Sequence, residues 1–217
     1  MVSILMPIYN GIQFIDESIG SILNQTFTNY EVLIGINGWE KNSAVYIKAK
    51  EYEKYNQIKV FDFFTLKNKS NTLNELKKHA KYHYIALLDV DDIWHPEKLA
   101  VQSQMFGHYD VIGSNCVWFG ERNHIIPSIP IGDFSLYDFK LVNPIINSSS
   151  VIRKELCYWN SYWNIEDYDL WIRLRLQNKK FYNCKAVLVK HRIHNTSAFN
   201  SKSNHNTVDE LIKFHYK

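Results

Sequence analysis

Four times in its first ninety residues the chain repeats one pattern: a short, almost unbroken apolar run, a polar break, then apolar residues at helical spacing. Val2–Met6, Glu31–Ile36, Ile58–Phe64 and Tyr84–Leu88 read as strands. Ile12, Ile15, Ile19, Ile22 and Leu23 share one face of a helix that ends near Asn24. Ser43 is placed to cap a helix running to Tyr55, and Leu73, Leu76 and Ala80 mark a third from Ser70 to about Lys81. Strands apolar on both faces must be covered on both faces, so the pattern dictates a parallel sheet between helical layers. Ligands of such sheets bind beyond the carboxyl ends of the strands. Polar clusters stand at those ends: Tyr9-Asn10 after the first strand, Asn37-Gly38 after the second, and Asp89-Val90-Asp91-Asp92 after the fourth.

The second half is less regular. Pro96–Phe106 reads as a helix with Pro96 in its first turn, Asp110–Phe119 as a strand, and residues 120–147, with Pro127, Pro130 and Pro144, as loops. Ile165–Leu176 is an amphipathic helix and Ala186–Lys190 a strand. The polar stretch Asn195–Asn206 reads as mobile, and Val208–Lys217 as a last helix. With no internal repeat and no linker, 217 residues read as one domain.

Composition removes several functions. Twenty-five basic against 22 acidic residues leave a net charge of +3, too mild to argue for nucleic acid or an anionic membrane. Cys116, Cys157 and Cys184 are odd in number and form no C-x-x-C pair. They read as reduced thiols rather than a zinc ribbon or a disulfide framework. The N-terminus lacks a basic leader region, Pro7 interrupts its apolar run, and no stretch approaches the ~20 apolar residues of a membrane span. A soluble, cytoplasmic protein is expected, so the sequon at Asn195 carries little weight. No G-x-G-x-x-G follows the first strand, and there is no P-loop and no G-x-S-x-G. His79 and His83 lack an H-E-x-x-H context and read as surface or capping histidines.

Two acidic clusters carry the chemistry. Asp89, Asp91 and Asp92 repel one another at a strand end. A hard cation such as Mg²⁺ or Mn²⁺, held by one or two carboxylates plus substrate phosphates, relieves that repulsion; the plainer alternative is a solvated turn capping the next helix. Glu166-Asp167 opens the Ile165–Leu176 helix, where the dipole favours acidic residues by about 0.3–1 kcal/mol. Asp169 and Arg173 form an i,i+4 pair there. A carboxylate so placed is also a general base if a substrate hydroxyl comes within reach.

Ser3-Ile4-Leu5-Met6-Pro7-Ile8-Tyr9-Asn10 resembles the opening of the family 2 glycosyltransferases of the GT-A fold. Leu88–Asp92 followed by Trp94-His95-Pro96-Glu97-Lys98-Leu99 resembles the family's D-x-D-D segment and P-x-x-L helix. Glu166–Leu174 resembles its E-D helix, and Arg192-Ile193-His194-Asn195 its R-x-H segment. The resemblance implies a three-layer α/β/α sandwich with a mostly parallel central sheet and one antiparallel segment. The nucleotide-binding half would span about 1–118 and the acceptor half 119–217. It implies inverting, metal-dependent transfer of a sugar from a nucleotide-diphosphate sugar to a glycan or other hydroxyl acceptor, with Mn²⁺ or Mg²⁺. A homodimer is compatible with the sequence and not required by it.

Residue by residue, the resemblance assigns Pro7, Tyr9 and Asn10 to the nucleotide pocket, Tyr9 being alternatively a buried aromatic. Asp89 would contact the ribose or the metal shell, with Val90 beside it in the donor turn. Asp91 would bind the metal, and Asp92 would cap the next helix or orient its neighbours. His194 would approach the diphosphate or metal, with His191 a second claimant. Lys69-Ser70-Asn71-Thr72-Leu73-Asn74 resembles a K-x-x-x-L-N variant, so Lys69 and Asn74 would contact the donor unless Lys69 is merely solvated. Asp167 would be the base and Glu166 would position acceptor or base. Three departures matter. Asn37 stands where many relatives carry the Asp that reads uracil; its amide still donates and accepts, so a UDP-sugar is expected with the base left open. Leu73 replaces the arginine of the A-R-N variant, and no Q-x-x-R-W segment points to a processive synthase. Tyr158, Trp159, Tyr162 and Trp163 either stack on sugar rings or fill the core. Two other classes fit the acidic edge: a sugar nucleotidyltransferase, although Tyr9-Asn10-Gly11-Ile12 lacks its glycine-rich basic segment, and a non-catalytic nucleotide-sugar or glycan binding module.

Overall fold

The computed structural model of the protein describes residues 1–195 and 204–217; most of the stretch expected to be mobile lies outside them. Strands β1 (Val2–Ile8), β2 (Tyr30–Asn37), β3 (Ile58–Phe63) and β4 (Tyr84–Leu87) are parallel, in the order β3-β2-β1-β4. Helices α1 (Ile15–Leu23), α2 (Ala44–Lys50) and α3 (Lys69–His79) connect them. The chain winds outward from β1 to β3, then returns to the other side of β1. That reversal opens a crevice at the carboxyl ends of β1 and β4. Ser43 caps α2 as expected, accepting the Tyr46 N–H at 3.2 Å. Helix α3 starts one residue before the predicted Ser70, because Asn68 caps it by accepting the Asn71 N–H at 2.8 Å.

The second half is more mixed than the single antiparallel segment expected. Beyond β4 the order is β8 (Val151–Arg153), β6 (Val111–Gly120), β9 (Phe181–Ile193) and β5 (Ile93–Trp94), with β7 (Gly132–Asp133) also on β9. β6 and β9 are parallel, while β4–β8, β6–β8, β5–β9 and β7–β9 are antiparallel. Strands of two or three residues are too short to show a hydrophobic period. β9 outruns the predicted Ala186–Lys190 because sheet pairing carries its polar residues along. Helices α4 (Lys98–Ser103), α5 (Glu166–Leu176) and α6 (Asn204–His215) complete the described elements.

Side-chain alternation along the strands builds two cores. On one face Ile4, Met6, Ile8 and Ile34 pack with Ile15, Ile19 and Ile22 of α1 and Leu99 of α4. On the other, Leu5, Leu33 and Leu87 pack with Leu73 and Leu76 of α3, Leu170 and Trp171 of α5 and Leu211 of α6. Each fully buried aliphatic side chain contributes about 1.5–3 kcal/mol, so a one-residue slip in β1 would exchange both layers at heavy cost. The result is the α/β/α sandwich. All three cysteines are free and buried. Among the described residues no helix is long and apolar enough to cross a membrane.

One polar contact behind the sheet edge fixes a loop used below. Asn183 of β9 is fully buried, and its Nδ2 donates to the Pro130 carbonyl at 2.7 Å and the Pro144 carbonyl at 2.8 Å. Gly113 of β6 makes room for it: a Cβ there would stand 2.1 Å from Asn183 Oδ1. Gly113→Ala should therefore cost about 1–3 kcal/mol in chemical denaturation. Adding Asn183→Ala should return part of that loss, a non-additivity that a double-mutant cycle measures.

Candidate active site

The residues following β1 and β2 form an open aromatic rim. The Tyr9 ring is 54% exposed, which sets aside the buried-aromatic alternative. Its carbonyl accepts Trp39 Nε1–H at 2.5 Å, and its ring lies over Gly38, where φ is +75° and a Cβ would stand 2.7 Å from the ring. Only glycine combines that conformation with so close an approach. Asn10 is exposed and Pro7 half-buried in β1 opposite Gly35, whereas Asn37 closes β2 almost fully buried. Val90 is buried against Gly11, whose Cβ would stand 2.9 Å from Val90 Cγ1.

The three aspartates after β4 take three different partners. Asp89 accepts from Lys69 Nζ at 2.7 Å and from Asn147 Nδ2 at 3.0 Å, and its N–H donates to Ser148 Oγ at 3.1 Å. Burial works against its charge, yet Lys69 and Asn147 hold its carboxyl below the usual range. Asp91 Oδ2 lies 2.9 Å from His194 Nε2. Burial and the neighbouring Asp92 and Asp89 push the Asp91 carboxyl upward, against the His194 contact. Asp92 is fully buried and does not cap α4. It meets His191 Nδ1 at 3.1 Å and accepts the Arg192 N–H at 2.9 Å, so it orients β9. Burial opposes a charged His191, but Asp92 overrides it and pushes the imidazole up to about 9.

Lys69 joins this turn to the second acidic cluster. Its Nζ is also 3.3 Å from Glu166 Oε1. Burial disfavours the ammonium, but Asp89 and Glu166 outweigh it and hold Lys69 well above the ordinary lysine range. The purely solvated reading of Lys69 is thereby excluded. Glu166 is buried, which raises its carboxyl; Lys69 opposes this and Asp167 adds to it. Asp167 is half-buried at the start of α5 and accepts from Asn143 Nδ2 at 3.1 Å. Burial lifts its carboxyl too, against Lys69, the Tyr168 N–H and Asn143. Burial and a hydrogen-bonding amide at a helix start are the kind of surroundings in which a carboxylate exchanges a proton.

Not every expected residue joins the group. Both ends of the Asn74 amide are spent on Trp159: Nδ2 donates to its carbonyl at 2.7 Å and Oδ1 accepts its N–H at 3.0 Å. Trp159 and Trp163 are core residues, while Tyr158 and Tyr162 are exposed. Asn143, Asn147 and Ser148 lie beside these carboxylates but carry no sequence signal of that placement, since they come from an irregular loop and a short turn with no period.

The arrangement is an acidic crevice crossed by one lysine, with an aromatic rim on one side and a raised carboxylate on the other. The family model described as "Glycosyl transferase family 2" matches residues 3–205. The chain belongs to glycosyltransferase family 2. It is a glycosyltransferase, similar at 30% identity to the UDP-Glc:alpha-D-GlcNAc-diphosphoundecaprenol beta-1,3-glucosyltransferase WfgD of Escherichia coli, over 93% of this chain and 81% of that one. Its fold is shared with the solved S. aureus TarS 1-349 in complex with UDP-GlcNAc, with a TM-score of 0.74 and 19% identity over 99% of this chain. It is shared also with the mannosyltransferase PcManGT of Pyrobaculum calidifontis in complex with GDP-Man and Mn²⁺, with a TM-score of 0.69 and 12% identity over 90% of this chain. The chain spans 66% and 58% of the length of those two solved chains.

The Asp92–His191 pair predicts a pH dependence of stability. A histidine raised from its ordinary 6.5 to about 9 contributes fully below pH 6.5, and the contribution is lost as pH rises toward 9. The thermal midpoint should fall across pH 6.5–9, and His191→Gln should flatten that part of the curve. Parallel curves for the two proteins would show that His191 is not charged in the fold.

Proposed function

We propose that this glycosyltransferase moves a sugar from a nucleotide-sugar donor, a UDP-hexose or UDP-N-acetylhexosamine, to a hydroxyl acceptor in glycan synthesis, with inversion at the anomeric carbon. The observation that carries the reading is the meeting of Asp89, Lys69 and Glu166, which brings the donor turn and the acceptor helix to one point. The Tyr9 ring offers an exposed face for the base; the Asn37 amide that would pair with uracil is almost fully buried at the end of β2 and would have to be uncovered to do so. The donor half corresponds to about residues 1–118 and the acceptor half to 119–217. The WfgD likeness makes an N-acetylhexosamine linked to a lipid diphosphate the first acceptor to test.

A divalent cation fits the residues present. Asp91 and His194 offer an oxygen and a nitrogen at one point of the crevice, a set that suits Mn²⁺. Among the described residues no group of three His, Cys, Asp or Glu is assembled. Two protein ligands with donor phosphates completing the shell is the usual arrangement for such ions. When bound, the cation would stabilise charge on the departing diphosphate. Asp89, already committed to Lys69 and Asn147, would serve the ribose or the outer shell.

The chain's own residues account for the rest of the step. Asp167 would take the proton of the acceptor hydroxyl as its oxygen attacks the anomeric carbon from the side opposite the diphosphate. Lys69 would hold Glu166 and Asp89 at fixed separation, and Glu166 would position the acceptor. Base catalysis of this kind contributes roughly 10²–10⁴-fold.

Asp167→Asn should lower turnover of UDP-glucose or UDP-N-acetylglucosamine by about 10²-fold or more with donor binding nearly unchanged, measured by UDP release. Glu166→Gln should act more on the acceptor's KM. If both variants transfer normally, the base lies elsewhere. Asp91→Ala should abolish the Mn²⁺ dependence of UDP binding in calorimetry while keeping the fold. Tighter binding of GDP than of UDP by the native protein would overturn the uridine assignment.

A further inference from the structure

We propose that Asn143 is a positioning residue for the reaction: its side-chain amide fixes the orientation of the Asp167 carboxylate, and its loop ties that carboxylate to Asp89 on the donor side. The inference rests on the reading of Asp167 as the base. Asn143 Nδ2 donates to Asp167 Oδ2 at 3.1 Å, and Asn143 Oδ1 accepts the Ile145 N–H at 3.4 Å. An ionised carboxylate only accepts and a backbone N–H only donates, so both ends of the amide agree on its orientation. A carboxylate anchored at one oxygen cannot swing about its own bond without breaking that contact, so the direction of its second oxygen is set.

Four residues further on, Asn147 Nδ2 donates to Asp89 Oδ2 at 3.0 Å. One short loop therefore supplies an amide to each of the two acidic clusters. The loop is itself anchored. The Pro144 carbonyl accepts from buried Asn183 at 2.8 Å, the Ser148 carbonyl from Trp94 Nε1 at 2.7 Å, and the Ser149 carbonyl from Gln102 Nε2 at 2.7 Å. Those donors belong to β9, β5 and α4, so the loop cannot shift on one carboxylate without pulling on the other.

The groups facing Asp167 are Lys69 from α3, Glu166 and the Tyr168 N–H from α5, Asp89 from the end of β4, and Asn143. Asn143 is a neutral side chain, so replacing it with another neutral one alters Asp167 without changing the net charge of the crevice. Loss of a hydrogen bond to the charged form favours protonation.

The test is a ¹³C NMR titration of the Asp167 carboxyl, assigned by its absence in Asp167→Asn, on the intact protein without donor or metal. In Asn143→Ala its midpoint should rise by about 1, and in Asn143→Asp, which adds a like charge, by more. Asn143→Gln, which keeps the donor, should stay nearer the native value. If Asn143→Ala fails to fold, the near-isosteric, neutral Asn143→Leu, which has no donor, carries the test. An Asp167 midpoint unmoved in whichever of these two variants folds overturns the proposal. In the UDP-release assay the acid limb of kcat/KM should move up with the NMR midpoint, with donor KM unchanged. Normal transfer by Asp167→Asn would overturn the base assignment and this inference with it. A dead Asp167→Asn beside an immobile midpoint in the Asn143 variants would overturn this inference alone.

Discussion

Between Asp89 at the end of β4 and Glu166 at the start of α5 lies one ammonium, that of Lys69, 2.7 Å from the first and 3.3 Å from the second. Two unit charges 4 Å apart at an effective dielectric of 20 interact by about 4 kcal/mol, so buried carboxylates gathered this closely would otherwise take up protons. Lys69 stands there because it is the first residue of α3, and α3 starts there because Asn68 caps it. A local capping choice in the first half of the chain thereby decides whether an acidic site can exist between the halves.

The opposite wall depends on β9. Running parallel to β6, it carries His191 and Arg192, with His194 one residue beyond its end, to the same edge as the aspartate turn. The Arg192 guanidinium stacks on Phe14 and Phe119, at 4.3 Å from each ring, and its Nε donates to the Asp91 carbonyl at 2.8 Å. Two histidines, one in β9 and one just past its end, thus divide two adjacent aspartates. Asp92 with His191 is buried framework, while Asp91 with His194 keeps some exposure to the crevice. That division gives a turn of three carboxylates two different surroundings, one inside the fold and one at its surface.

The start of α5 is held by what the aromatic segment does not do. Trp159 and Trp163 are buried, and Asn74 of α3 binds the Trp159 backbone at both ends of its amide. The segment before α5 is therefore fixed to α3, the same helix that delivers Lys69. Glu166 and Lys69 are set by one helix pair, while Asp167 meets the loop side chain of Asn143.

The sequence by itself determined the parallel half, the sandwich, and the strand ends at which the two acidic clusters and their flanking motifs stand. Apolar strands and amphipathic helices announce themselves through local periodicity, and the strand ends follow from them. Only the tertiary structure decided which partner each carboxylate takes. Asp92 turned to β9 rather than to α4, Asn74 to a tryptophan backbone rather than outward to a donor, and Asn143 and Asn147 arrived from a loop with no period. β5, β7 and β8 were likewise invisible, since two or three residues carry no pattern and are strands only because longer neighbours pair with them. Hydrophobic patterning is written along the chain, but hydrogen-bond partners of buried polar groups are chosen across it, by which elements the packed cores bring within 3 Å or so.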